Sequence, residues 1–311
     1  MSRNFGAGQR DMSRAAGVFL SQAASKGELS FSSAATLEDR FSKFAQYAKN
    51  EGIGRMERVD SETVRQYGHE LAEKVEAGEL SESYAQNLIS SINTVMSLAT
   101  KGEWESVSPT KDCGITERSF IRQEAPESLD RNIYESARDA VHLELGDRAA
   151  AIVELTRELG LRSKEASLID AKSAYAEAQE KGYVTITEGT KGGRDREIPI
   201  TSENQIQALQ KAAEAQGESR AMIPPGENWK SFREGSLREI REIVQEKTGG
   251  GLHDLRSAYA CERYESLTGW SAPAADGHIE DHLIDREARA RISQELGHGR
   301  VDVVSSYVGG R

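Results

Sequence analysis

Apolar side chains recur at helical spacing through the first hundred residues. Leu37, Phe41, Phe44, Ala45 and Ala48 fall at i, i+4, i+7, i+8 and i+11, one stripe along a helix. Val64, Tyr67, Leu71 and Val75 make a second stripe behind Asp60, a good N-cap. Tyr84, Leu88, Ile92, Val95, Met96 and Ala99 make another behind Ser81. With an earlier helix over residues 11–24, these predict a four-helix bundle whose stripes are its core. The periodicity stops over residues 101–128, where Gly102, Pro109, Gly114 and Pro126 mark a connector. It returns over 129–145 and 148–159, with Ala149, Ile152, Val153 and Leu155 as core candidates. The period then shortens to two. Residues 183–187 and 196–200 alternate like strands around a glycine turn at 190–194, which predicts a β-hairpin or a small sheet. Helical patterns resume over 203–215, over 231–246 and from Leu252 onward. The expected architecture is mainly α with a small β-hairpin, divided into a helical domain (1–104), a linker (105–128) and a second domain (129–311).

Composition fits this layout. At 311 residues, with 37% hydrophobic and 29% charged side chains, the chain has room for two buried cores. No apolar run approaches the roughly 18 residues of a membrane span, and the start lacks the apolar core of a signal peptide, so a cytoplasmic protein is expected. Two cysteines, Cys113 and Cys261, are too few for a disulfide framework or a four-cysteine zinc site. The net charge of −11 argues at first against nucleic acid. The acidic excess is spread along the chain, however, so a basic face can coexist with acidic outer surfaces.

Several motifs lead nowhere. Gly6-Ala-Gly8 lacks the strand and third glycine of a dinucleotide loop, and no Walker-type loop is present. His278 and His282 stand four apart without the adjacent glutamate of a zincin, so no metal site and no cofactor are expected. The last sixty residues carry more. His253 and Arg256 lie three apart on one helical face, His298 follows Arg256 by 42 residues within Leu296-Gly-His298, and Tyr307 stands nine beyond it. Upstream, Arg162 enters a short helix and Lys191 sits on the hairpin turn. Two arginines, two histidines, a lysine and a tyrosine are sufficient for attack on a phosphodiester without a metal.

In order and spacing these six positions resemble the tyrosine recombinase (phage-integrase) family. Arg162 matches the first family arginine in its Leu-Arg-x-x-Glu context, and Lys191 matches the β-hairpin lysine. His253 and Arg256 match the His-x-x-Arg pair, His298 the Leu-Gly-His motif, and Tyr307 the terminal tyrosine. The resemblance implies a helical core-binding (SAM-like) DNA-binding domain followed by a tyrosine-recombinase-like catalytic domain. It also implies cutting and rejoining of DNA through a 3′-phosphotyrosyl link, for integration or excision of a mobile element or prophage. The implied partners are double-stranded DNA carrying a recombination site, a homotetramer on synapsed DNA and a directionality factor, with the protein nucleoid-associated.

The chemistry agrees with the resemblance. A phenol of pKa about 10 is ionised only about once in a thousand at pH 7, a deficit of roughly 4 kcal/mol that nearby cations and a proton-accepting histidine reduce. Arginines suit the phosphate, because a planar fork donates paired hydrogen bonds and stays charged. In this scheme Tyr307 attacks, Arg162 and Arg256 clamp the phosphate with His298 as a further donor, His253 handles protons, and Lys191 protonates the leaving 5′ oxygen.

Three features depart from the family. The 42-residue gap before His298 is long, its excess falling around residues 268–291 as a surface elaboration. Only residues 308–311 follow Tyr307, short for a tail that docks on a neighbour. The bundle begins near residue 11, leaving no room for an arm-binding domain. The rival readings are a Xer-like chromosome-dimer resolvase, a type IB topoisomerase, a non-catalytic DNA-binding scaffold of the same fold, and a helical interaction module without DNA.

Overall fold

A computed structural model describes residues 3–310, which form two compact units, Met1–Ser119 and Phe120–Arg311. The first unit is built from α1 (Met12–Ser25), α2 (Phe31–Asn50), α3 (Ser61–Glu76) and α4 (Glu82–Ala99). Asp11, Ser30, Asp60 and Ser81 cap the four helices, each accepting from the backbone N–H three residues on. The predicted stripes turn inward: Phe41, Phe44, Val64, Leu71, Leu88, Ile92 and Val95 are buried in one core. After α4 the chain continues across this core. Val107, Cys113 and Ile115 are buried in it, and Asn93 clamps Val107 through bonds to its N–H and C=O (3.0 and 2.8 Å).

The second unit contains α5 (Arg131–Leu145), α6 (Asp147–Glu158), α7 (Ser163–Leu168), α8 (Ala171–Lys181), the strands β1 (Tyr183–Ile186) and β2 (Arg196–Pro199), and α9 (Glu203–Gln216). It ends with α10 (Trp229–Glu234), α11 (Ser236–Thr248), α12 (Leu252–Thr268), α13 (His282–Glu295) and the single turn α14 (Ser305–Val308). Among the described residues the only sheet is β1 paired antiparallel with β2, Tyr183 opposite Pro199 and Ile186 opposite Arg196. The central helix is α6, buried from Ala149 to Glu158 between α5, α9 and α12. Burial on every side requires its charges to be matched. Arg157 donates twice to Glu262 (2.9 and 2.6 Å), and Arg131 bridges Glu262 and Glu158. Among the described residues no helix is long and apolar enough to cross a membrane.

Three details differ from the sequence expectation. The helix expected over 231–246 breaks at Gly235 into α10 and α11. Helix α8 shows no obvious stripe because its buried positions, Ala171, Ala174 and Ala178, are all small. The stretch 268–291 is not a surface elaboration throughout. Its second half belongs to α13, where Asp285 and Arg289 are buried and neutralise each other one turn apart (2.6 Å). His278 precedes that helix, so it does not share a helical face with His282.

Candidate active site

The site is assembled from the ends of elements. Arg162 enters α7, where both its backbone N–H and Nη1 donate to Glu165 (2.7 Å each). Glu165 is wholly buried and also receives Nη1 and Nη2 of Arg196 (2.9 and 2.7 Å). Arg196 reaches it because it shares the buried face of β2 with Ile198. Burial alone would raise the Glu165 carboxyl pKa, but the bonds and charge of Arg196, with those of Arg162, bring it down to about 2.

Arg256 projects from α12 and is 1% exposed. Its guanidinium donates to the carbonyls of Gly160 and Leu296, and Nε lies 3.4 Å from Tyr307 Oη. Gly160 takes a left-handed φ of +61°, and a Cβ there would collide with the Tyr259 ring, so the approach requires glycine. At the other wall, α13 ends with two carbonyls turned toward arginines: Glu295 to Arg196 (2.7 Å) and Leu296 to Arg256. The last carbonyls of a helix lack intrahelical partners and carry its negative dipole end, which suits two cations. Desolvation lowers the Arg256 pKa to about 10, which leaves it charged at neutral pH.

Beyond Leu296 the chain turns at Gly297 and presents His298, whose Nε2 lies 2.9 Å from Tyr307 Oη and 3.5 Å from Arg256 Nη2. Burial, then Arg256, Arg162 and Arg196, push the His298 pKa down to about 4, so its ring is neutral at pH 7. A neutral Nε2 facing both an N–H and a phenol is an acceptor. Tyr307 is 3% exposed, and His253 packs against its ring (centroids 5.2 Å apart). The pKa of His253 is lowered by desolvation and by Arg256.

The structure therefore brings together Arg162, His253, Arg256, His298 and Tyr307. Lys191 stays on the exposed loop between the strands, outside this hydrogen-bonded cluster. Two further participants escaped the sequence reading. Arg196 is one, and its signal was an arginine at an inward position of an alternating strand. The other is Arg122, which lies in the stretch read as linker yet donates to Asp254 beside His253 (2.7 Å). Three guanidinium groups around one carboxylate leave net positive charge beside a phenol, an arrangement that can bind a phosphate and move a proton. Among the described residues no group of three or more His, Cys, Asp or Glu side chains could hold a metal ion.

Residues 120–262 match the family model described as an integrase, while no curated protein matches the chain. Several solved structures share the fold. A lambda integrase dimer bound to a COC′ core site aligns at a TM-score of 0.58 and 14% identity, covering 94% of this chain and 93% of that one. The Tn1549 transposon integrase in complex with transposon right-end DNA aligns at 0.59 and 11%, covering 95% of each. The XerH site-specific recombinase bound to a palindromic difH substrate aligns at 0.59 and 13%, covering 97% and 94%. At 11–14% identity these structures share the fold of the chain. Within that fold, residues 120–262 of the second unit carry the integrase match.

Proposed function

We propose that the chain is a site-specific recombinase that integrates or excises a mobile element, with Tyr307 as its nucleophile. The observation that carries this reading is the Tyr307 hydroxyl set 2.9 Å from a neutral His298 and 3.4 Å from Arg256. In the proposed reaction the Tyr307 oxygen attacks the scissile phosphorus, forming an O–P bond as the bond to the 5′ oxygen breaks. Proximity favours His298 Nε2 as the first acceptor of the phenol proton, with His253 flanking the ring. Arg162 and Arg256 hold the non-bridging oxygens, and Lys191, on its exposed loop, delivers the proton to the departing 5′ oxygen. The phosphotyrosyl ester keeps the energy of the broken bond, so a second DNA 5′ hydroxyl reverses the step without ATP.

We further propose double-stranded DNA as the partner of both units and a homotetramer as the working assembly, acting where the chromosome lies. The lambda integrase tetramer bound to a Holliday junction, which shares the fold at a TM-score of 0.56, supports that stoichiometry. A directionality factor completes the proposed partner set. The equally good fold match to XerH supports a second reading, a chromosome-dimer resolvase. Trapping covalent complexes on nicked duplexes drawn from host DNA tests the scheme. Tyr307→Phe should abolish the adduct while DNA affinity stays within about twofold, and an adduct that survives overturns the assignment. The sequence of the trapped DNA separates an element's attachment site from a chromosomal resolution site.

A further inference from the structure

We infer that Arg289, braced by Asp285, is a positioning residue for Tyr307, an inference that rests on the reading of that tyrosine as nucleophile. Helix α14 is a single turn, and one turn of helix cannot hold itself in water. Whatever fixes the phenol must therefore come from outside. Arg289 supplies it. Its Nη1 donates to Ser305 Oγ (3.2 Å) and Gly309 O (3.0 Å), and its Nη2 donates to Gly310 O (3.0 Å). One guanidinium thus grips the chain on both sides of Tyr307, through the Ser305 hydroxyl two residues before it and the backbone two and three residues after.

The grip is itself held. Arg289 Nε donates to Asp285 Oδ1 (2.6 Å), and the same oxygen accepts from the Tyr264 hydroxyl (2.8 Å). The Tyr264 ring lies against the guanidinium, 5.7 Å from centroid to carbon. Tyr264 and Arg256 both belong to α12, so the helix that carries the phosphate-clamping arginine also braces the tyrosine's anchor. Arg289 and Asp285 are each about 1% exposed. Such a pair stabilises a fold no better than well-packed apolar side chains would, whereas a five-donor planar fork can specify where three acceptors stand. Arg289 reaches neither the phenol nor its proton acceptor, so its effect passes through backbone position. A misplacement of about 1 Å in a reacting group can cost on the order of a hundredfold in rate.

Two measurements test this. In protein labelled with 3-fluorotyrosine, the fluorine line of Tyr307 is identified by its loss in Tyr307→Phe. Arg289→Met should broaden or shift that line while most of the remaining lines stay in place. Single-turnover cleavage of the duplex recovered from trapped complexes should slow at least tenfold at saturating DNA, with unchanged affinity and final amplitude. Arg289→Lys should recover part of the loss, and Arg289→Met should add nothing in a Ser305→Ala chain ended after Val308. Should Arg289→Met fail to fold, Ser305→Ala in that shortened chain removes the acceptors and leaves the buried pair intact. An unchanged Tyr307 line, or a cleavage rate within twofold of the parent, overturns the inference. Covalent adducts that persist in Tyr307→Phe overturn the reading beneath it, while the fluorine line still reports whether the grip exists.

Discussion

Glu165 is a single acid shared by Arg162 and Arg196, with Arg256 Nη1 3.8 Å from its Oε2. Removing one partner should expose how much of the site depends on it. Arg196→Met should cost about 3–5 kcal/mol of unfolding free energy at pH 7, measured in urea, because breaking a buried pair strands a charge. The pH dependence follows from the same group. The folded pKa of Glu165, about 2, lies below its usual 4.5, so its stabilisation is present above about 4.5 and is lost as the pH falls toward 2. In Arg196→Met that acid limb should flatten. His298, held near 4, adds a decline between about 6.5 and 4, where the unfolded chain takes the proton first. His298→Gln should remove that decline. The six candidate positions come from the family resemblance that their order and spacing carry, and five of them meet here while Lys191 stays on its loop. The bond between Glu165 and Arg196 spans 31 residues, and no local period reports a meeting of that kind.

At the scale of elements, the site depends on turns that bring helix and strand ends together. Gly160 is the tightest of them. Gly160→Ala should cost about 1–3 kcal/mol by denaturation, from a left-handed φ and a collision with Tyr259. It should also slow DNA cleavage, because the Gly160 carbonyl is an anchor of Arg256. The bundle helices and the hairpin were legible because their apolar periods are undisturbed. Helix α13 was misread because its buried face carries Asp285 and Arg289, which resemble solvent-facing charges until their pairing is seen. The break at Gly235 separates Phe232 from Leu237 by five residues, a step off the helical period whose one further signal is the glycine itself.

For the whole molecule, a net charge of −11 and a basic reaction centre are compatible because the positive charge is concentrated rather than abundant. Arg162, Arg196 and Arg256 converge on one place, while the acidic excess is distributed along the chain. DNA affinity should therefore fall steeply with salt. A protein making 6–10 phosphate contacts loses about 10³–10⁵ in affinity between 50 and 200 mM salt. Fluorescence anisotropy of a labelled duplex across that range checks the expectation, and a flat response would contradict a phosphate-reading site.

The burial of Tyr307 bears also on what happens after cleavage. In the proposed reaction a phosphotyrosyl ester at Tyr307 would face arginines, imidazoles and the walls of α12 and α13, since 3% of that residue is open to bulk solvent in the free protein. Water is the most abundant competitor for that ester, and its attack would leave a chromosome with a permanent break. In the proposed reaction a nucleophile seated this deeply would give the incoming DNA hydroxyl the advantage, so the enclosure that restrains the tyrosine beforehand would also guard the genome.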